Sequence, residues 1–314
     1  MLETSNIFCT GGAGTLGRAI AQRRKKEGWT GKLTVYSTSN HNHDSMRKLY
    51  PDVQFVQGDI RNPETLFNAM VGHDIVLHLA AVKVIPDSEY WTIDTIDVNV
   101  NGSLNVCQQA ISANIQHVLG ISTDKACHPA NAYGATKLLM EKLFQEYSRI
   151  GSDTKFHLVR YGNVLESSSS VLEAWKSSVA AGFPIKITDS TMTRFWLSPQ
   201  QAVDMVIASL EFETGWVYIP KMKALSIGQL AEYVIGDGKE VGYKKIPLRP
   251  GEKMHETLLT IEEAKNAFNF DGYFVIQPST AEATPYHLFP RVPYTSDTAP
   301  ELTRDELMEL LKNE

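Results

Sequence analysis

Tyr133 and Lys137 stand four residues apart, a spacing that stacks two side chains on one face of a helix, a turn apart. A fixed ammonium beside a phenol favours phenolate, drawing a hydroxyl whose pKa starts at about 10 toward the working pH. Tyr133 is then a base for a sugar hydroxyl whose carbon gives up hydride to a nicotinamide. Just upstream, Thr123-Asp124-Lys125 brings a second acid and base, which plain alcohol oxidation does not require. Together the two groups predict an oxidation that makes a harder elimination accessible. Of the 12 tyrosines, only Tyr133 has a lysine four positions on. Taken alone, an exposed Tyr/Lys pair and a surface Asp-Lys ion pair are the plainer readings.

Such chemistry needs a nicotinamide held nearby. The run Thr10-Gly11-Gly12-Ala13-Gly14-Thr15-Leu16-Gly17 follows the apolar segment Ile7-Phe8-Cys9-Thr10 and opens a helical pattern. Glycines there allow a tight turn and close approach of a pyrophosphate, with the helix N-terminus facing the phosphates. The next apolar segment, Leu33-Thr34-Val35-Tyr36, ends in Ser37-Thr38-Ser39, without the carboxylate that grips a ribose 2′-hydroxyl. A 2′-phosphate is not repelled, so NADP is the expected cofactor and NAD the alternative. His41, His43 and Arg47 are nearby candidates to receive it, each equally readable as a solvated loop residue. Gly58-Asp59-Ile60 fits an adenine-edge contact or an ordinary turn.

Stepping along the chain, Val53–Val56, Ile75–His78, His117–Ile121 and Phe156–Arg160 join the first two segments as strands. Helical patterns run at 15–28, 63–71, 90–114 and 132–149. The alternation predicts an α/β fold: a Rossmann-type doubly wound parallel sheet with a smaller C-terminal substrate-binding lobe. In this reading residues 1–165 bind NAD(P) and carry the chemistry, while 166–314, broken by prolines, are mainly the substrate lobe. Thr303–Glu314 reads as a short amphipathic helix with Leu307, Leu310 and Leu311 inward.

Composition bounds the function classes. A chain of 314 residues, 43% hydrophobic and 21% charged, can bury a sizeable core. Its net charge of −6 argues against nucleic acid or an anionic membrane as the main partner. Cys9, Cys107 and Cys127 lack CxxC spacing and read as reduced, buried thiols, and no metal site is expected. Neither a signal-peptide pattern nor a membrane-length apolar run is present, so the expected location is cytoplasmic.

Gly11–Gly17, His78-Leu79-Ala80-Ala81, Asn99-Val100-Asn101-Gly102 and Tyr133–Lys137 resemble the extended short-chain dehydrogenase/reductase superfamily. The likeness sharpens to the soluble, C5-inverting UDP-N-acetylglucosamine 4,6-dehydratases of surface-sugar and flagellin-sugar pathways. It is carried by Ala80–Pro86, Ser122–Ala126, Tyr133–Leu138, Arg160–Val164, Ile187–Asp189, Met192–Trp196, Ile219–Met222, Arg249–Lys253 and Tyr294–Asp297. It covers essentially the whole chain, and Thr123-Asp124-Lys125 is its most diagnostic piece.

The resemblance implies that Tyr133, tuned by Lys137, takes the 4-hydroxyl proton, with Thr123 hydrogen-bonding beside it. Lys125, made neutral by burial or by neighbouring Lys137, removes the C5 hydrogen of the 4-keto sugar. A protonated Asp124 releases the 6-hydroxyl as water, and C5 is reprotonated from the opposite face. Implied cofactor contacts are Gly11, Gly14, Thr15, Leu16 and Gly17; Ser37, Thr38, Asp59 and Ile60; Ala80, Ile121 and Ser122; and Tyr133, Lys137 and Val164. Implied substrate contacts are Lys83, Asn163 and Val171, with Thr188, Arg249 and Glu252 toward the nucleotide diphosphate or its ribose. Arg194 is a further candidate, equally readable as a brace between lobes. The implied partner is UDP-N-acetylglucosamine or a related UDP-sugar, in a homo-oligomer. Two departures stand out: the family's Ser-Arg-Asp-Glu is Ser37-Thr38-Ser39-Asn40 here, and its Gly-Ser-Arg-Gly-Ser is Glu166–Ser170. A nucleotide-sugar 4-epimerase of the same superfamily is the alternative, and it needs no Asp124-Lys125 pair.

Overall fold

The computed structural model describes residues 2–165, 171–236, 242–249, 251–278 and 292–312. The departure at Glu166–Ser170 lies outside the described residues.

Short segments rich in apolar and aromatic residues form β1 (Ile7–Thr10), β2 (Leu33–Ser37), β3 (Gln54–Gln57), β4 (Ile75–His78), β5 (His117–Thr123) and β6 (Lys155–Tyr161). Helices α1 (Thr15–Glu27), α2 (Asn40–Leu49), α3 (Pro63–Met70), α4 (Ile85–Tyr90), α5 (Thr92–Ile96), α6 (Gly102–Ser112) and α7 (Ala132–Tyr147) alternate with them. Local chemistry sets their ends. Helix α1 stops where Gly28 turns left-handed at φ 67°, and α3 starts on an Asn62 cap followed by Pro63.

Two helical expectations change. Helix α2 is absent from the sequence reading because Asn40–Leu49 offers only Met46 and Leu49 as apolar residues. The single helix expected over 90–114 is instead α5, a π-turn at Asp97–Asn101 and α6. The extra residue of that turn coincides with Asn99, whose side chain both accepts from Val82 N (2.8 Å) and donates to Val82 O (2.9 Å).

The remaining elements are β7 (Asn163–Val164), α8 (Val171–Ala180), β8 (Ile185–Ile187), β9 (Thr193–Leu197), α9 (Pro199–Ser209), β10 (Val217–Pro220), β11 (Ala224–Ser226) and α10 (Ile227–Ile235). They continue with β12 (Tyr243–Lys245), β13 (Thr257–Leu259), β14 (Ala267–Phe270), β15 (Tyr273–Ile276), β16 (Tyr294–Thr295) and α11 (Arg304–Lys312).

The central sheet has nine strands in the order β14-β15-β10-β6-β5-β4-β1-β2-β3. From β3 to β10 neighbouring strands are parallel, while β15 and β14 close the edge antiparallel. This is the Rossmann-type strand order, and the chain after residue 165 returns to the same sheet through β10, β14 and β15. The order reverses between β1 and β4, so a crevice opens outside their carboxyl ends. Phe8, Val35, Val76, Leu119 and Leu158 fill the main core. A second core, built on Trp175, Ile187, Trp196 and Leu230, takes Leu307 from α11, with Leu310 and Leu311 packed at its rim. Among the described residues no helix is long and apolar enough to cross a membrane.

Candidate active site

At the crevice lies a cleft of about 550 Å³ that brings together most of the residues singled out by sequence. Its walls carry the glycine turn (Gly11, Gly14, Thr15, Leu16, Gly17), Ala80, Lys83, Ile121, Ser122, Thr123, Lys125, Tyr133, Lys137, Asn163, Val164, Val171, Thr188, Arg194, Arg249 and Glu252. A larger groove of about 1060 Å³ beside α1, α9 and α11 holds none of the acid/base residues. We therefore place the chemistry in the smaller cleft.

The glycine turn is fixed by contact. A Cβ on Gly11 would sit 2.6 Å from the Ala80 backbone, and one on Gly17 only 2.0 Å from Gly12 O. These two glycines let β1, α1 and the chain after β4 approach closely. Helix α1 begins at Gly14 without a side-chain cap and without an acidic residue in its first turn. A diphosphate suits such a helix start, so the residues present fit a dinucleotide.

Strand β5 delivers the acid/base cluster. Thr123 ends the strand, and Asp124–Ala126 form a short 3₁₀ turn that swings Asp124 inward and Lys125 into the cleft. Lys125 Nζ donates to Asp124 Oδ1 at 2.9 Å and to Asn163 Oδ1 at 3.4 Å, and lies 3.5 Å from Glu256 Oε1. Asp124 is fully buried, and its Oδ2 has no hydrogen-bond partner among the described residues. Burial pushes its carboxyl upward, beyond what Lys125 can offset, and nearby Glu256 adds to the rise. The shift runs in the direction of the acid role that the sequence reading assigns, while in the free site Asp124 is the carboxylate partner of Lys125.

Lys125 departs from expectation. Burial pulls its ammonium down, but the carboxylates of Asp124 and Glu256 outweigh this and hold it above the usual lysine range. Lys137 plays no part in that balance. The free site therefore holds Lys125 charged rather than neutral.

Tyr133 and Lys137 also behave differently from their spacing. Asn131 caps α7, accepting from Gly134 N at 2.8 Å, and so places Tyr133 in the first turn facing β5. Burial raises the phenol, and the opposing pull comes from Lys125 and a hydrogen bond with Thr123. Lys137 turns elsewhere: its Nζ donates to Met140 Sδ at 2.9 Å. Burial, only partly opposed by Glu141, lowers its ammonium to about 8. The expected phenol–ammonium tuning within α7 is replaced by tuning across two segments, from β5 to α7.

Glu256, just before β13, went unnoticed in the sequence although it lies three residues beyond Arg249–Lys253. It is buried, and its Oε2 is unpartnered among the described residues. Burial alone would raise it, but Lys125, Arg194 and Lys253 together hold it below the ordinary carboxylate range. Arg194 reads as a brace: it donates to the carbonyls of Thr193 (2.7 Å), Met254 (3.1 Å) and Lys253 (2.9 Å), with its Nε 3.7 Å from Glu256.

Behind the cleft, Arg160 on β6 is almost wholly buried between Glu141 of α7 (2.7 Å) and Glu263 (2.8 Å). It also donates to Leu258 O and Cys127 Sγ, so Cys127 is a packed thiol beneath the Asp124–Ala126 turn. Ser37, Thr38, Asp59 and Ile60 are not on the cleft wall. Asp59 is clamped by Arg61, Ile60 is buried, and Ser37 Oγ bonds His43 Nε2 at 2.7 Å.

The family described as polysaccharide biosynthesis protein matches residues 7–278. An inverting UDP-N-acetylglucosamine 4,6-dehydratase of Campylobacter jejuni is 34% identical over 285 residues, 89% of this chain and 84% of that protein. A UDP-glucose 4-epimerase of Rickettsia felis is 34% identical over 287 residues, 88% of this chain and 84% of that one. The X-ray structure of Pen from Bacillus thuringiensis, 30% identical, shares the fold at a TM-score of 0.91 over 100% of this chain and 98% of the other.

Proposed function

The chain belongs to the polysaccharide biosynthesis protein family, and we propose that it is a UDP-N-acetylglucosamine 4,6-dehydratase that inverts C5. The observation that carries this reading is the 2.9 Å hydrogen bond from Lys125 Nζ to the buried Asp124 carboxyl, beside Tyr133. Elimination needs a neutral amine and a protonated acid at once. One proton moved along that bond turns the ion pair into both, and a site that excludes water favours the uncharged pair.

NADP held at the Gly11–Gly17 turn would supply an acceptor for the C4 hydride and its return to C6, and its oxidised ring would add a positive charge favouring the Tyr133 phenolate. Tyr133 Oη then takes the 4-hydroxyl proton, steadied by the hydroxyl of Thr123. The resulting 4-keto group acidifies C5, whose proton passes to Lys125 Nζ. As the C6–O bond breaks, its electron pair leaves on oxygen, and the Asp124 proton makes the leaving group water. C5 regains a proton on its other face from water, which recovers it from Tyr133, and this leaves a 4-keto-6-deoxy sugar. Lys83, Asn163 and Val171 face the sugar in this reading. Thr188, Arg249 and Glu252 serve the nucleotide diphosphate or its ribose, the guanidinium fork of Arg249 being suited to the phosphates. A homo-oligomer completes the proposal, supported by the exposed apolar residues Tyr90, Trp91 and Ile93.

Incubation with UDP-N-acetylglucosamine in deuterium oxide tests it. The expected product is lighter by one water, carries solvent deuterium at C5, and forms without net change in nicotinamide absorbance. A product merely inverted at C4, without deuterium at C5, establishes the 4-epimerase reading instead.

A further inference from the structure

The loop after β2 lacks both a carboxylate for a 2′-hydroxyl and an arginine for a 2′-phosphate, yet a guanidinium from α1 reaches the helix that follows it. Arg18, in the first turn of α1, donates from Nε to Ala13 O in the glycine turn (3.1 Å). Its Nη2 donates to Ser45 Oγ (2.7 Å) and Asn42 O (3.4 Å) on α2. The guanidinium thus spans from the glycine turn to α2, flanking the end of β2 where a Rossmann fold holds an adenosine ribose. All these acceptors are neutral, and among the described residues no carboxylate forms an ion pair with it.

Two of the other candidates, Arg47 and His43, are committed to partners. Arg47 pairs with Asp44 at 2.8 Å and lies over the Phe55 ring. His43 is buried against Ser37, and burial, with Arg47 beside it, lowers its imidazole. We propose that Arg18 is the residue that selects NADP over NAD, receiving the 2′-phosphate between the glycine turn and α2. The inference rests on the reading of the cleft as a dinucleotide site. A guanidinium without a carboxylate partner gains charge-assisted hydrogen bonds when a phosphate arrives, and a 2′-hydroxyl offers no such gain.

Equilibrium titration of the cofactor-stripped protein, followed by tryptophan fluorescence, tests it with NADP⁺, NAD⁺, adenosine 2′,5′-bisphosphate and ADP. The wild-type chain is expected to bind each 2′-phosphorylated ligand at least about tenfold more tightly than its partner, the equivalent of ~1.4 kcal/mol. Arg18→Ala should remove that preference while leaving NAD⁺ affinity within about twofold, which also shows that the variant is folded. Ser45→Asp should act in the same direction by drawing Arg18 into an ion pair. Equal weakening of NAD⁺ and NADP⁺ by Arg18→Ala, or a wild-type protein that prefers NAD⁺, overturns the assignment. A wild-type chain that binds neither dinucleotide overturns the underlying reading as well.

Discussion

Replacing Lys125 with Met keeps the length of the side chain and removes its charge. In the wild-type protein that charge lies 2.9 Å from Asp124 Oδ1 and 3.5 Å from Glu256 Oε1. At an effective dielectric of about 20 these contacts are worth roughly 6 and 5 kcal/mol before desolvation. The variant does not lose that sum, because Asp124 can escape by taking a proton. Protonating a carboxyl of ordinary pKa 3.8 at pH 7 costs about 4 kcal/mol, and this caps the Asp124 share of the loss, while Glu256 keeps Arg194 and Lys253 as cationic neighbours. The figure agrees with the ~3–5 kcal/mol typical of breaking a buried ion pair.

Because the escape consumes a proton, the loss depends on pH. Without Lys125 the Asp124 carboxyl is raised further in the folded variant than in wild type, so the folded variant binds more protons and its stability falls more steeply as pH rises. The gap between wild type and Lys125→Met should therefore narrow by about 1.4 kcal/mol per pH unit on going from pH 7 to 5. Urea unfolding at three pH values measures it. In the same variant, water loss from UDP-N-acetylglucosamine should drop ~10²–10⁴-fold while reduced nicotinamide persists after substrate is added. A gap indifferent to pH refutes the electrostatic account of the triad, and dehydration at the wild-type rate refutes the assignment of the base.

Lys137→Met should stabilise the protein by about 3 kcal/mol at neutral pH, since folding no longer buries an ammonium whose pKa is lowered from 10.5 to about 8. The wild-type protein binds fewer protons folded than unfolded between those values, so its stability rises with pH through that window; the variant should lack the rise in urea unfolding. Glu263→Gln should cost about 3 kcal/mol at neutral pH, because Arg160 overcomes burial and depresses Glu263 from 4.5 to about 2. That contribution is present above pH 4.5 and lost toward pH 2, so acid titration of wild type and variant should converge there. Glu256→Gln loosens the hold on the Lys125 proton, so the pH profile of dehydration should move down by a unit or so; an unmoved profile makes Glu256 a packing partner only.

The parts of this molecule that sequence made legible are those whose cause is local. An apolar run of four residues, a glycine turn and an asparagine cap carry their reasons within a few positions, so β1, the turn at Gly11–Gly17 and the start of α7 were readable. Helix α2 was not, because its fold is secured from outside, by Met46 and His43 buried against neighbouring segments. Charge is the extreme case of this. The spacing of Tyr133 and Lys137 does put them on one helix, yet a lysine stem is long enough for Nζ to end at Met140, and the phenol answers to Lys125 instead. Lys125 in turn answers to Glu256, which arrives from near β13, held by Ser296 Oγ accepting from its amide at 2.8 Å. Residue type and spacing therefore identify which groups can carry protons. Which of them hold a proton is decided by every segment that folds against the site, since each buried charge is felt over several ångströms with little water to damp it.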